Sequence, residues 1–137
     1  MTSQSTADDK KVGSCARVGL CFTSPTLVPD RLTAALGISP SRCFTKGDSS
    51  PGKRVPRPWG LWALEYDREG VDEASKQLLE TLEGKHDLIR QIAIDMAAET
   101  STTIRWEPGD GYGGYSLSSE TVAALANLAE RMDFYFV

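Results

Sequence analysis

The segment from Trp59 to Tyr66 is apolar on both sides of a two-residue repeat: Trp59, Leu61 and Ala63 point one way, and Trp62, Leu64 and Tyr66 point the other. Side chains alternate across a strand, so a segment of this kind must be covered on both sides. The pattern predicts a strand placed centrally in a sheet, with both tryptophans in the core, and restricts the chain to folds built around that sheet. A second segment predicts one strongly apolar strand face. Ala16, Val18, Leu20 and Phe22 alternate with Arg17, Gly19, Cys21 and Thr23.

Helical spacing fills the intervals between the strands. Pro29 suits a first helical position, Asp30 lies near the positive end of the helix, Leu32, Ala35 and Leu36 share a face, and Gly37 supplies a left-handed stop. Val71, Ala74, Leu78 and Leu82 form a second helical stripe, continued by Ile89, Ile92 and Met96 beyond Gly84. Gly84 either separates two packed helices or bends one long helix, and the spacing allows both. Ser118 or Ser119 can cap a last helix whose expected stripe is Val122, Leu125, Leu128 or Ala129, and Met132. Short strands are expected at Arg42–Thr45, Thr102–Trp106 and Asp133–Val137, the last tied down inside the sheet because it is strongly apolar.

The resulting order is strand, helix, strand, strand, one or two helices, strand, helix, strand. It predicts an α+β fold, a mainly antiparallel sheet with helices on one face, and a ferredoxin-like variant is one arrangement that fits. Residues 1–14 hold few apolar side chains and read as a flexible tail, leaving residues 15–137 as a single globular domain. A chain of 137 residues with 25% charged residues and a net charge of −4 is an ordinary globular composition. The polar segment Met1–Lys11 lacks a signal-peptide pattern, and no run approaches the roughly 18–20 apolar residues of a membrane helix. The expectation is a cytoplasmic protein without a membrane partner.

Three cysteines without a Cys-x-x-Cys pair and one histidine, His86, argue against a metal site, and the thiols are read as small reduced apolar fillers. Cys15 and Cys21 share a strand face about 20 Å apart at about 3.3 Å per residue, too far for a disulfide within that strand. His86 sits in the polar stretch Gly84–Asp87, which suits capping or a surface position better than base catalysis. Gly109–Gly114 lacks the Gly-Lys-Ser/Thr ending of a phosphate-binding loop, and Asp110 alone makes a poor calcium site. No catalytic residue, metal ligand or cofactor is therefore assigned.

Charge is unevenly spread. Residues 42–57 hold five Lys or Arg against one Asp, whereas residues 65–99 hold ten acids against four bases. The loop at 46–58, shaped by Gly47, Pro51, Gly52, Pro56 and Pro58, thus becomes the candidate contact region, with Lys46, Lys53, Arg54 and Arg57 as binding residues. Tyr112 and Tyr115, in and beside the glycine-rich loop, are named as neighbours. The acidic balance and the missing aromatic-basic motif argue against nucleic acid.

Leu36-Gly-Ile-Ser-Pro-Ser41, then Thr45-Lys-Gly-Asp48, then Trp59-Gly-Leu-Trp62, and finally Gly114-Tyr-Ser-Leu-Ser118 give the chain a family likeness. Over about residues 16–137 it resembles a bacterial family of single-domain proteins, the domain of unknown function 4279. The resemblance carries no activity that transfers residue by residue. By analogy with small bacterial proteins of this kind, it implies an immunity partner of a secreted toxin or another interaction module. The sequence reading is a non-enzymatic protein-interaction module, immunity-like or regulatory. The alternative is a small anionic ligand binder or an uncharacterised enzyme, and homo-oligomerisation is left open.

Overall fold

The computed structural model describes residues 13–48, 57–109 and 114–136. Its five strands are β1 (Cys15–Ser24), β2 (Arg42–Phe44), β3 (Gly60–Arg68), β4 (Glu99–Glu107) and β5 (Arg131–Phe136). The four helices are α1 (Pro29–Leu36), α2 (Val71–Thr81), α3 (His86–Asp95) and α4 (Ser119–Ala126). One sheet runs β2-β3-β1-β4-β5, antiparallel throughout except for the parallel pair β4 and β5. The fold is α+β, as the element order predicts. β3 lies between the mutually parallel strands β1 and β2, and β1 lies between β3 and β4. Two such interleaved split units make the first four strands ferredoxin-like, with α4 and β5 appended.

β1 is the middle strand and is paired along its whole length, with Leu20 opposite Leu64 on one side and Thr102 on the other. Its inward residues Ala16, Val18, Leu20 and Phe22 are completely buried beneath the helices. Trp62 from β3 joins them at 0% exposure, its ring edge-on to Phe22 at 5.8 Å and its indole N–H donating to Thr33 Oγ1 at 3.1 Å. The hydroxyl bond explains how so large a polar-edged ring can lie in the core. Ile104 and Trp106 of β4, Leu32 and Leu36 of α1, Ala74 and Leu78 of α2, Ile89 and Ile92 of α3, and Leu125 of α4 complete this layer.

The local signals act as their chemistry requires. Pro29 opens α1, and Gly37 closes it at φ 72° with its N–H on the Thr33 carbonyl. Ser118 caps α4 by accepting from the Thr121 N–H at 3.1 Å. Gly84, at φ 77°, lies between α2 and α3, so the glycine separates two helices. Inside the layer, Thr102 Oγ1 donates to the Leu125 carbonyl at 3.0 Å, which ties α4 to β4.

Four expectations are corrected. Trp59 precedes β3 and is 49% exposed, because Gly60 is the first paired residue and no helix covers the side on which Trp59 sits. Ala35 and Val122 lie exposed on α1 and α4, where Leu36 and Thr121 take the inward positions. β5 is an edge strand with exposed aromatic residues, its other edge unpaired among the described residues. Only Cys21 is a buried filler, since Cys15 and Cys43 are exposed.

The two tryptophans give a direct stability test. Trp62→Ala should destabilise the fold by about 3–5 kcal/mol through loss of buried contacts and the cavity left behind. Trp59→Ala should stay within roughly 0.5–1 kcal/mol, as for a surface substitution. Urea midpoints of the two variants measure the contrast, and equal shifts would contradict the placement.

Candidate functional site

The four helices contribute to the core on one side of the sheet, and among the described residues no helix covers the opposite side. Alternation along each strand assigns its residues: Arg17, Gly19, Cys21 and Thr23 from β1, Arg42 and Phe44 from β2, and Leu61, Ala63, Glu65 and Asp67 from β3. β4 adds Ser101, Thr103 and Arg105, and β5 adds Arg131, Asp133 and Tyr135. Twelve of these line a half-open hollow of about 340 Å³ centred on β1. A neighbouring hollow of about 390 Å³ continues past Thr23 and Arg131 to Trp59 and Glu99, and a smaller one reaches Cys15 and Glu107 at the other end. Together they form a furrow that follows β1 from Ser24 to Cys15.

Glycine at position 19 deepens the middle of the furrow. A Cβ there would stand 2.6 Å from Glu65 Cγ and 2.7 Å from the Leu64 carbonyl oxygen. The missing side chain lets Glu65 lie flat across β1, and its side chain is only 8% exposed. Its carboxylate takes two hydrogen bonds from the Arg42 guanidinium, at 3.0 and 3.2 Å, a fork-on-fork pairing suited to a partly desolvated charge. Ser41 fixes this corner by donating its hydroxyl to the Glu65 carbonyl and accepting the Glu65 N–H.

The other arginines are held to different degrees. Arg17 grips Asp67 through two bonds at 2.7 and 3.1 Å, which pulls the Asp67 carboxyl below the usual carboxylate range. Arg131 bridges Asp133 and Glu99, both at 3.2 Å. Arg105 projects from β4 without an ion pair among the described residues, so its guanidinium donors face solvent. Beneath these charges Cys21, Leu61 and Ala63 form a small buried apolar cluster, with the half-buried Phe44 packed against it. The face is therefore charged over a buried apolar floor, with its exposed carbon surface at Trp59 and Tyr135.

Cys21 in the floor is buried, and burial pushes its thiol up to about 11, with the nearby Glu65 charge acting in the same direction. A thiol held protonated at neutral pH is a poor nucleophile. His86 lies apart on the first turn of α3, beside a small hollow lined by Ile89, Thr100 and Leu128. Among the described residues no three His, Cys, Asp or Glu side chains converge as a metal site.

The residues named from sequence are dispersed. Lys46 is exposed on the turn after β2. Arg57 pairs by backbone with Gly47 and Asp48 and lays its guanidinium over the Phe44 ring at 4.2 Å, so Arg57 meets the uncovered face at β2. Lys53, Arg54 and Tyr112 lie outside the described residues. Tyr115 packs against Trp106 at 5.6 Å on the helix side, where burial raises its phenol pKa. Sequence reasoning did not assemble Arg17, Arg42, Arg105, Arg131 and Trp59, although the polar half of the β1 alternation carried the clue.

A family model for a domain of unknown function, DUF4279, matches residues 14–135. The chain belongs to the DUF4279 family. No curated protein and no solved structure matches it. The matched span of this DUF4279 member includes all the strands that build the furrow except the last residue of β5.

The environment of the cysteines predicts selective labelling. In the native protein a water-soluble thiol reagent at neutral pH should modify Cys15 and Cys43 rapidly and Cys21 only on unfolding. Mass spectrometry of the labelled peptides reads the pattern, and fast native labelling of Cys21 would refute its burial.

Proposed function

We propose that this DUF4279 member is a non-enzymatic interaction module, immunity-like or regulatory, that binds a protein partner on the uncovered face of its sheet. The observation that carries the reading is the composition of that face: four arginines, three of them held by ion pairs, over a buried apolar floor, with a half-exposed tryptophan at one end. Arginine and tryptophan are the side chains that most often dominate protein interfaces, because each combines large contact area with directed hydrogen bonding. The ion pairs hold Arg17, Arg42 and Arg131 in place, which lowers the conformational entropy lost on docking. Arg105 remains available for a carboxylate brought by the partner. Lys46 and Arg57 extend the positive rim, and the further positive charge of Lys53 and Arg54 in the sequence between them adds to the attraction for an acidic surface.

A small anionic ligand is the second reading. It rests on the size of the central hollow, within the range of small-molecule sites at about 300–1,000 Å³, and on the free donors of Arg105. A ligand of that kind would need Arg105 but not Trp59, which lines the adjoining hollow.

Capture from the native host followed by titration of the purified partner tests the assignment. Trp59→Ala and Arg105→Glu should each weaken binding by at least about tenfold, while Lys76→Glu on the outer side of α2 leaves it unchanged. Raising the salt concentration should weaken the wild type more than the Arg105→Glu variant. A partner that binds both furrow variants with wild-type affinity would overturn the proposal.

A further inference from the structure

We infer that the edge of β5 left unpaired among the described residues is a self-association site, at which a second copy of this chain pairs antiparallel to form a two-fold dimer with a continuous sheet. This surface is distinct from the furrow and does not depend on the partner-binding reading. The two edges of the sheet are unequal. β2 is three residues long, and brevity is one way in which an edge avoids pairing with another chain. β5 has six residues, RMDFYF, in unbroken register with β4. It has no proline, no lysine and no bulge, and its two charged residues, Arg131 and Asp133, neutralise each other in an ion pair. Its final residues Phe134, Tyr135 and Phe136 are 53%, 52% and 73% exposed, although Phe134 and Phe136 point to the helix side of the sheet, opposite Ile104 and Trp106.

The residue pattern selects the occupant and the register. A two-fold axis perpendicular to the sheet keeps both uncovered faces on one side, so residues of equal parity stand opposite each other and the axis passes beside a single residue. Centring on Asp133 would oppose two carboxylates, and centring on Met132 would bring Phe136 opposite Leu128, before β5 begins. Centring on Phe134 pairs five of the six residues of β5 with their counterparts. Phe134 then meets its own copy, and Met132 meets Phe136 twice, making an apolar strip on the helix side. On the other side Tyr135 stands opposite Asp133 twice, a phenol donor facing a carboxylate acceptor. An edge that is self-complementary in both its apolar and its polar residues fits a second copy of the same chain. In the dimer the two furrows lie on one face of a ten-stranded sheet, with their Arg131 residues toward the junction.

Sedimentation velocity and disulfide trapping of the full chain test the inference. The wild type should form a dimer at micromolar concentration, and Phe134→Lys should weaken dimerisation by at least about tenfold while keeping the wild-type circular dichroism spectrum. In a background with Cys15→Ser and Cys43→Ser, Phe134→Cys should form an intermolecular disulfide on mild oxidation. Directly opposed residues sit about 4.5–5.5 Å apart between Cα atoms, within disulfide range. Phe136→Cys, whose counterpart across the axis is Met132, should crosslink much more slowly. A wild type that stays monomeric at the highest attainable concentration would overturn the inference, as would a dimer unaffected by Phe134→Lys. Equal trapping at positions 134 and 136 would overturn the register. Should Phe134→Lys fail to fold, the wild-type sedimentation and the cysteine pair still decide the matter.

Discussion

Strand β1 is bonded along both edges while only one of its sides is apolar, and the rest of the molecule follows from that asymmetry. Ala16, Val18, Leu20 and Phe22 lose all contact with water only if helices lie across that side, so α1 to α4 gather there. Fully burying each large aliphatic or aromatic side chain is worth about 1.5–3 kcal/mol, which makes covering this side the dominant favourable term. No comparable gain exists on the other side, where β1 presents arginine, glycine, cysteine and threonine. Among the described residues no helix covers the sheet there, and that side becomes the functional candidate.

The furrow is organised by one absent side chain and several ion pairs. Gly19 removes a Cβ from the centre of the face, and Glu65 occupies the space. Its charge is tolerated because Arg42 meets it with two parallel bonds. Exposed ion pairs such as Arg17 with Asp67 add little to stability, typically 0–1 kcal/mol, so their role here is orientation. The pairs on this face keep long side chains extended over the sheet, above an apolar cluster that is almost wholly buried.

How far the sequence can be read differs between the two sides of the sheet. The inward side of β1, the α1 start at Pro29 and stop at Gly37, and an α4 cap at Ser118 or Ser119 are legible, because each depends on neighbours within a few residues. Family membership was legible through short motifs spread along the chain. The furrow was not, since its residues come from five strands and Arg17 and Arg131 stand more than a hundred positions apart. The sequence reading favoured the local concentration of charge at 46–58 and passed over arginines that are isolated in the chain and adjacent only across the sheet.

Trp59 and the β5 segment mark the boundary most clearly. Both look like core, because hydrophobic alternation reports which side chains avoid water but not how many covering layers the fold supplies. Trp62 and Trp59 are three residues apart in one apolar segment, yet one meets α1 and the other meets solvent. Likewise, an apolar terminal strand satisfies the same alternation in the middle of a sheet or at its edge, and the parallel pairing with β4 placed it at the edge. The sequence by itself determined the α+β order, the side of β1 that is buried and the two ends of α1, since local periodicity and backbone chemistry suffice for those. Only the tertiary structure decided which sheet face and which edge remain open, because strand order is set by the joint packing of segments distant in sequence.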